Sequence, residues 1–152
     1  MPHLVIARRA LLMVVAAPTL ASAEEPFLLV TEEEAVAGRV GTPAPVTRSV
    51  AVGMPRIEID TPEGSRPQSV PISFRLRFIP GPDAEIDPGS FRAFYGAFGI
   101  DITDRLRGRA RIDAAGIVAE NVAVPSGDHR VVLTITDSRG RTGRREHRFT
   151  VN

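Results

Sequence analysis

Residues 72–78, ISFRLRF, set Ile72, Phe74, Leu76 and Phe78 on one side of an extended chain and Ser73, Arg75 and Arg77 on the other. Apolar residues at every second position follow the period of a strand, not the 3.6-residue period of a helix. A strand of this kind buries one face and wets the other, so it needs a second layer to cover the apolar side. Pro80-Gly81-Pro82-Asp83 ends the run, and the same rhythm recurs downstream. Ile57 and Ile59 alternate before the Pro62-Glu63-Gly64 turn. Phe91 to Tyr95 and Ile100 to Thr103 bracket Gly96 and Gly99. Arg109 to Asp113 and Ile117 to Val124 flank a hairpin turn at 114–116. His129 to Thr136 and Arg144 to Val151 form the last pair. About seven or eight short strands with turns between them, and no long helix after Pro55, predict an all-β fold: a two-sheet antiparallel sandwich over residues 55–152.

The N-terminal third reads differently. Residues 1–23 have the form of an export signal, with Arg8 and Arg9, an apolar run from Ala10 to Ala17, and a small-x-small site at Ala21-Ser22-Ala23. The run falls far short of the roughly 20 residues of a membrane-spanning helix. The expectation is a periplasmic or secreted protein whose mature chain starts at Glu24 and has no membrane span. Residues 24–54 are expected to be an extension and linker. Thr31 and Glu34 form a capping box for a short helix, Gly38 is expected to stop it after about two turns, and Gly38 to Pro55 is dense in Gly and Pro. The alternative is that Phe27, Leu28, Leu29 and Val30 dock on the domain as an extra strand.

Three segments carry a family resemblance. Ile86-Asp87-Pro88-Gly89-Ser90-Phe91 resembles the I-D-x-x-S-F entry to a strand in bacterial immunoglobulin-like domains. Val124-Pro125-Ser126-Gly127-Asp128-His129 resembles their L-x-x-G-x-H/Y turn. Thr136-Asp137-Ser138-Arg139-Gly140-Arg141 with Phe149-Thr150-Val151 resembles their closing hairpin. The resemblance covers residues 55–152 and implies an Ig-like binding, spacer or adhesive module of exported proteins. It transfers no catalytic residue, and both cysteines and the core tryptophan of antibody-type domains are missing.

Without cysteine there is no thiol nucleophile and no thiolate metal site. A loop flanked by Asp137 and Arg144 would set His147 opposite Thr134 and leave His129 about 17 Å along the hairpin. Both histidines are therefore expected at surface or turn positions, and neither a metal nor any other cofactor is expected. Asp83, Glu85, Asp87, Asp101, Asp104, Asp128 and Asp137 collect at strand ends, where turn formation is the first reading and calcium ligation the second. One tyrosine and no tryptophan leave little to line a sugar-binding cleft. All nineteen basic residues are arginine, yet the chain carries a net charge of only +1, which becomes −1 once Arg8 and Arg9 are removed. That balance argues against a dedicated nucleic-acid binder.

The remaining candidate is DRLRGRARID, residues 104–113. Read as a strand, it sets Arg105, Arg107, Arg109 and Arg111 on one face and Leu106, Ala110 and Ile112 on the other. The stripe is then a solvated face in which each arginine is near-neutral on substitution, or an anion-binding site of planar guanidinium forks. A second cluster, Arg139, Arg141, Arg144, Arg145 and Arg148, would matter if it shared that surface. The functional expectation is a non-catalytic binding or interaction module whose partner is another envelope protein or an anionic envelope polymer. The alternatives are an accessory subunit docking through Glu24 to Val30, and a small hydrolase or metal carrier.

Overall fold

A computed structural model describes residues 24–40 and 52–152. Residues 1–23, expected to be an export signal, and residues 41–51, within the expected linker, lie outside the described residues. Strand β1 (Phe27–Leu28) leads into helix α1 (Glu32–Arg39), and β2 (Arg56–Thr61) and β3 (Ile72–Ile79) follow. Next come β4 (Ile86–Tyr95), β5 (Ile100–Asp101), the short helix α2 (Thr103–Arg107) and β6 (Arg111–Asp113). The chain closes with β7 (Gly116–Ala123), β8 (Gly127–Asp137) and β9 (Thr142–Val151).

The strands form two sheets. The first runs β1-β7-β3-β2, with β6 also on β7, and the second runs β5-β4-β8-β9. The predicted alternation is realised: Ile72, Phe74, Leu76 and Phe78 are buried from the first sheet, and Val131, Leu133 and Ile135 from the second, while His129, expected at the surface or in a turn, is buried in line with them. The layers meet through aromatic pairs, Phe74 edge-on to Phe149 at 5.5 Å and Phe78 against Phe91 at 6.0 Å. One continuous apolar core lies between them. The I-D-P-G-S-F segment is a bulge in β4. There the Ser90 hydroxyl accepts from the Thr136 N–H at 2.8 Å and donates to the Asp87 carbonyl at 2.6 Å, replacing ladder bonds that the register shift removes.

Three expectations are corrected. First, residues 27–39 dock on the sheets, with Leu29, Val30 and Ala35 buried. β1 pairs in parallel with β7, the Leu29 N–H donates to the Ala123 carbonyl, and Leu29 and Val30 are buried. This is the docked alternative, favoured because it takes Leu29 and Val30 out of water while Leu28 stays exposed. The capping box forms as read, but Gly38 lies inside α1 instead of ending it. Its lack of a side chain lets the helix settle on Tyr95 and Gly96, since a Cβ there would stand 2.8 Å from the Tyr95 ring.

Second, residues 103–107 are helical. Ile102, Leu106 and Ala110 recur at spacings of four, and the first two are buried. Asp101 Oδ1 accepts the Thr103 N–H at 2.8 Å at the entry, and Gly108 follows the last turn. Third, the β8–β9 register is three residues from the expected one. Thr136 faces Thr142, so His147 faces Val131 and His129 faces Phe149. The cause is Asp137. Its Oδ1 accepts the N–H groups of Arg139 and Arg141, each at 3.0 Å, and closes a tighter turn than the glycine positions suggest.

Candidate functional site

The four arginines of residues 105–111 are exposed, as expected, but they do not share a face. Arg105 reaches back to α1. Its two terminal nitrogens donate to the two Glu34 carboxylate oxygens at 2.7 Å each, and Nη1 also donates to the Leu29 carbonyl at 3.0 Å. Glu34 Oε2 at the same time accepts the Thr31 N–H of the capping box. With the Arg105 guanidinium bonded to it, the Glu34 carboxyl is pulled down to about 2. Arg109 lies over the Phe27 ring at 6.0 Å, and Arg111 pairs with Asp113 at 3.5 Å.

Arg105 is therefore the latch between the N-terminal segment and the sheets, not a near-neutral surface residue. Arg105→Ala is expected to cost about 1–2 kcal/mol, the range of a charged hydrogen bond discounted for partial exposure. Residues 24–40 should then be cut first in limited proteolysis. Unchanged stability and unchanged cleavage would contradict the latch.

Arg107 has a different neighbour. Its Nη2 donates to the Gly89 carbonyl at 2.6 Å and the Phe91 carbonyl at 3.1 Å, and Arg92 Nη1 donates to the same two oxygens at 3.2 and 2.8 Å. Strand β5 covers only Phe94 and Tyr95, and the Ala93 carbonyl is taken by the Ile102 N–H. The two guanidinium groups thus satisfy acceptors on the edge of β4 that no strand reaches among the described residues. Neither has a carboxylate within 4.0 Å among the described residues, and the segments outside them contain no Asp or Glu.

Arg92 connects this edge to the second cluster. It pairs with Thr134, which pairs with Arg144, so the three form one row across β4, β8 and β9 on the outer face of the second sheet. The adjacent row is Phe94, Val132 and Glu146, and the next is Arg130 and Arg148. Glu146 accepts from Arg130 at 2.8 Å and from Arg148 at 2.9 Å, which pulls its carboxyl down to about 2. One carboxylate thus serves two guanidiniums, while Arg92, Arg107 and Arg144 have none. Asp87 and Asp128 lie in the end rows of the face. Asp87 accepts the Gly89 N–H, and Asp128 accepts the Thr150 hydroxyl proton. Two members of the second cluster, Arg144 and Arg148, therefore share a surface with Arg107 of the first. Arg139 and Arg141 instead secure the 80–85 loop through the Asp83 and Pro82 carbonyls.

The histidines are not surface residues. His129 is buried, its Nδ1 accepting the Tyr95 hydroxyl proton at 2.7 Å and its Nε2–H donating to the Pro125 carbonyl at 2.7 Å, the tautomer this network requires. His147 is half-buried and its Nε2–H donates to the Pro62 carbonyl at 2.8 Å. Both stack on Phe149, at 5.2 and 5.7 Å. Burial pushes both imidazoles below their ordinary range. Below about pH 6.5 the unfolded chain therefore binds protons that the folded chain refuses. Stability should be full above that pH and fall as the pH drops below it. A melting series from about pH 8 to 5 checks this, and a flat profile would contradict it.

The carboxylates at strand ends shape turns. Asp87, Asp101, Asp113 and Asp137 all accept backbone N–H groups two or more residues ahead. For Asp137, burial works to raise the carboxyl, and the N–H groups and guanidinium of Arg141 together with the Arg139 N–H outweigh it and hold it below the carboxylate range. A cavity of about 20 Å³ between the sheets, lined by Leu29, Phe74, Ile102 and His147 among others, has room for a single water at most. An open groove of about 380 Å³ lies beside Phe27, between Glu24, Glu25, Arg109 and Glu120. Among the described residues no helix is long and apolar enough to cross a membrane, and no three His, Asp or Glu side chains converge as metal ligands. No family model matches the sequence, and no curated protein matches it.

Proposed function

We propose that this chain is an exported, non-catalytic binding module with an Ig-like fold, and that its outer β4-β8-β9 face engages an anionic partner of the periplasm or cell envelope. The observation that carries the reading is the row Arg92–Thr134–Arg144, joined at its edge by Arg107, with no carboxylate committed to any of the three guanidiniums. Guanidinium groups left without a counter-charge on one face favour phosphate, sulfate or carboxylate groups from outside.

The strand order supports the Ig-like part. β2-β3-β7-β6 and β4-β8-β9 correspond to the ABED and CFG sheets of constant-type domains. His129, near the start of β8 and bonded to the carbonyl four residues upstream, has the bonding pattern of the tyrosine corner found at the same place in such domains. The Arg8-Arg9 start, the apolar run Ala10 to Ala17 and the Ala21-Ser22-Ala23 site support the compartment. The accessory-subunit alternative loses ground, because Phe27 and Leu28 already pair with β7 and the Leu29 and Val30 side chains are buried within this fold.

Two measurements test the proposal. Mass spectrometry of the protein from its native host should find Glu24 as the N-terminus, and an intact Met1 would remove the exported part. On a sulfated-polysaccharide resin at about 0.15 M salt, where screening reaches about 8 Å, the wild type should be retained. Arg92→Glu with Arg144→Glu should flow through, and Arg75→Glu on the opposite face should stay bound. Flow-through of the wild type would overturn the reading.

A further inference from the structure

We infer that Arg92 and Arg107 together form a specific site for a tetrahedral oxyanion, a phosphate or sulfate group. This rests on the reading of the β4-β8-β9 face as an anion-binding surface and narrows it to two residues. The inference starts from what holds the side chains. A solvated arginine normally samples many rotamers, and ordering it costs side-chain entropy. Here each guanidinium is already anchored by one nitrogen to the Gly89 and Phe91 carbonyls. That entropy is spent in the free protein.

The anchoring also leaves the useful donors free. Arg92 uses only Nη1 and Arg107 only Nη2, so Nε and Nη2 of Arg92 and Nε and Nη1 of Arg107 make no hydrogen bond among the described residues. Arg92 keeps its Nε–Nη2 fork and Arg107 keeps its Nε–H and Nη1–H donors, so two guanidiniums held on the same pair of oxygens can direct N–H groups at one tetrahedral anion. The charge distribution agrees. The two cations share the Gly89 and Phe91 carbonyls with no carboxylate within 4.0 Å among the described residues. Asp101, near enough to interact with both, has Oδ1 on the Thr103 N–H, and Asp87 has Oδ1 on the Gly89 N–H. A bound dianion would replace like-charge repulsion by two attractions. Arg105, Arg109 and Arg111 do not take part, because they are turned towards Glu34, Phe27 and Asp113.

The test is a titration of the full chain with inorganic phosphate, followed through the Nε–Hε signals of arginine in ¹H–¹⁵N spectra, with chloride at matched ionic strength as the control. Arg92 and Arg107 should shift saturably with phosphate and not with chloride. Arg107→Gln and Arg92→Gln should each weaken binding about tenfold, as expected for loss of a charge-assisted hydrogen bond. Arg75→Gln should leave it unchanged. Should Arg107→Gln fail to fold, Arg92→Gln decides, since there Arg107 still caps both carbonyls. Equal response to chloride, or unchanged binding in a folded variant, would overturn the site.

A parallel arm uses a sulfated hexasaccharide. Binding more than tenfold tighter than phosphate marks the group as an ester on a polymer, and equal binding marks the free ion. If the hexasaccharide binds and Arg107→Gln does not weaken it, the anion-binding face stands and this site falls. If phosphate binds at the pair while the hexasaccharide does not bind at all, the site stands and the polymer reading falls.

Discussion

Phe149→Ala is expected to cost about 3–5 kcal/mol, the usual loss for truncating a buried aromatic residue. Against a total of about 5–15 kcal/mol, that brings the domain to the edge of unfolding. Phe149 is 2% exposed and is where the two layers meet. It receives the Phe74 ring edge-on from the opposite sheet and carries His129 and His147 on its faces. Alanine would open a void that these neighbours can fill only by giving up their bonds to Tyr95, Pro125 and Pro62. Urea denaturation of the wild type, Phe149→Ala and Phe149→Leu checks this, with leucine recovering part of the loss. A cost under about 1 kcal/mol for alanine would mean that the sheets do not pack through this residue.

Gly96→Ala is expected to cost about 2–4 kcal/mol, from left-handed backbone strain and overpacking together. Gly96 has φ of +71°, and a Cβ there would lie 2.6 Å from the Gly38 Cα. Alanine is worth about 1 kcal/mol more than glycine inside a helix, so Gly38 is costly to α1 by itself and is compensated by this close approach. The variant should therefore lose α1 contacts as well as stability. Faster hydrogen exchange in residues 29–39, beyond that in β8, would show it. Wild-type stability in Gly96→Ala would contradict the packing of α1 on the sheets.

Much of the fold was readable in the sequence because it rests on one-dimensional signals. ISFRLRF declares its inward face, Thr31 and Glu34 declare a helix start, and the Pro- and Gly-containing turns mark where strands end. Helix α2 was missed because RLRGRAR imitates a period of two. The glycine at 108 stands where a strand needs an apolar residue, while Ile102, Leu106 and Ala110 keep helical spacing. The histidine pair was misplaced by a three-residue register error, since Asp137 closes the last turn with its own side chain, which spacing alone does not reveal. The basic face was legible only in part: Arg107 and Arg144 stand in two arginine clusters, but spacing does not show that they share a surface. Arg92 is a lone arginine in FRAFYG, and it meets Arg107 and Arg144 only once a helix turns, a strand edge is left open and three strands fall into register.

The same registers make the functional proposal testable at single-residue resolution. Backbone amide shifts of the full chain, followed during titration with a sulfated oligosaccharide, report directly which surface is engaged. The expected result is a saturable set of changes along the outward positions of β4, β8 and β9, centred on Arg92, Thr134 and Arg144 and extending to Arg107. Changes centred instead on β2, β3 and β7, or on the groove around Glu24, Arg109 and Glu120, would contradict the assignment of the β4-β8-β9 face as the binding surface.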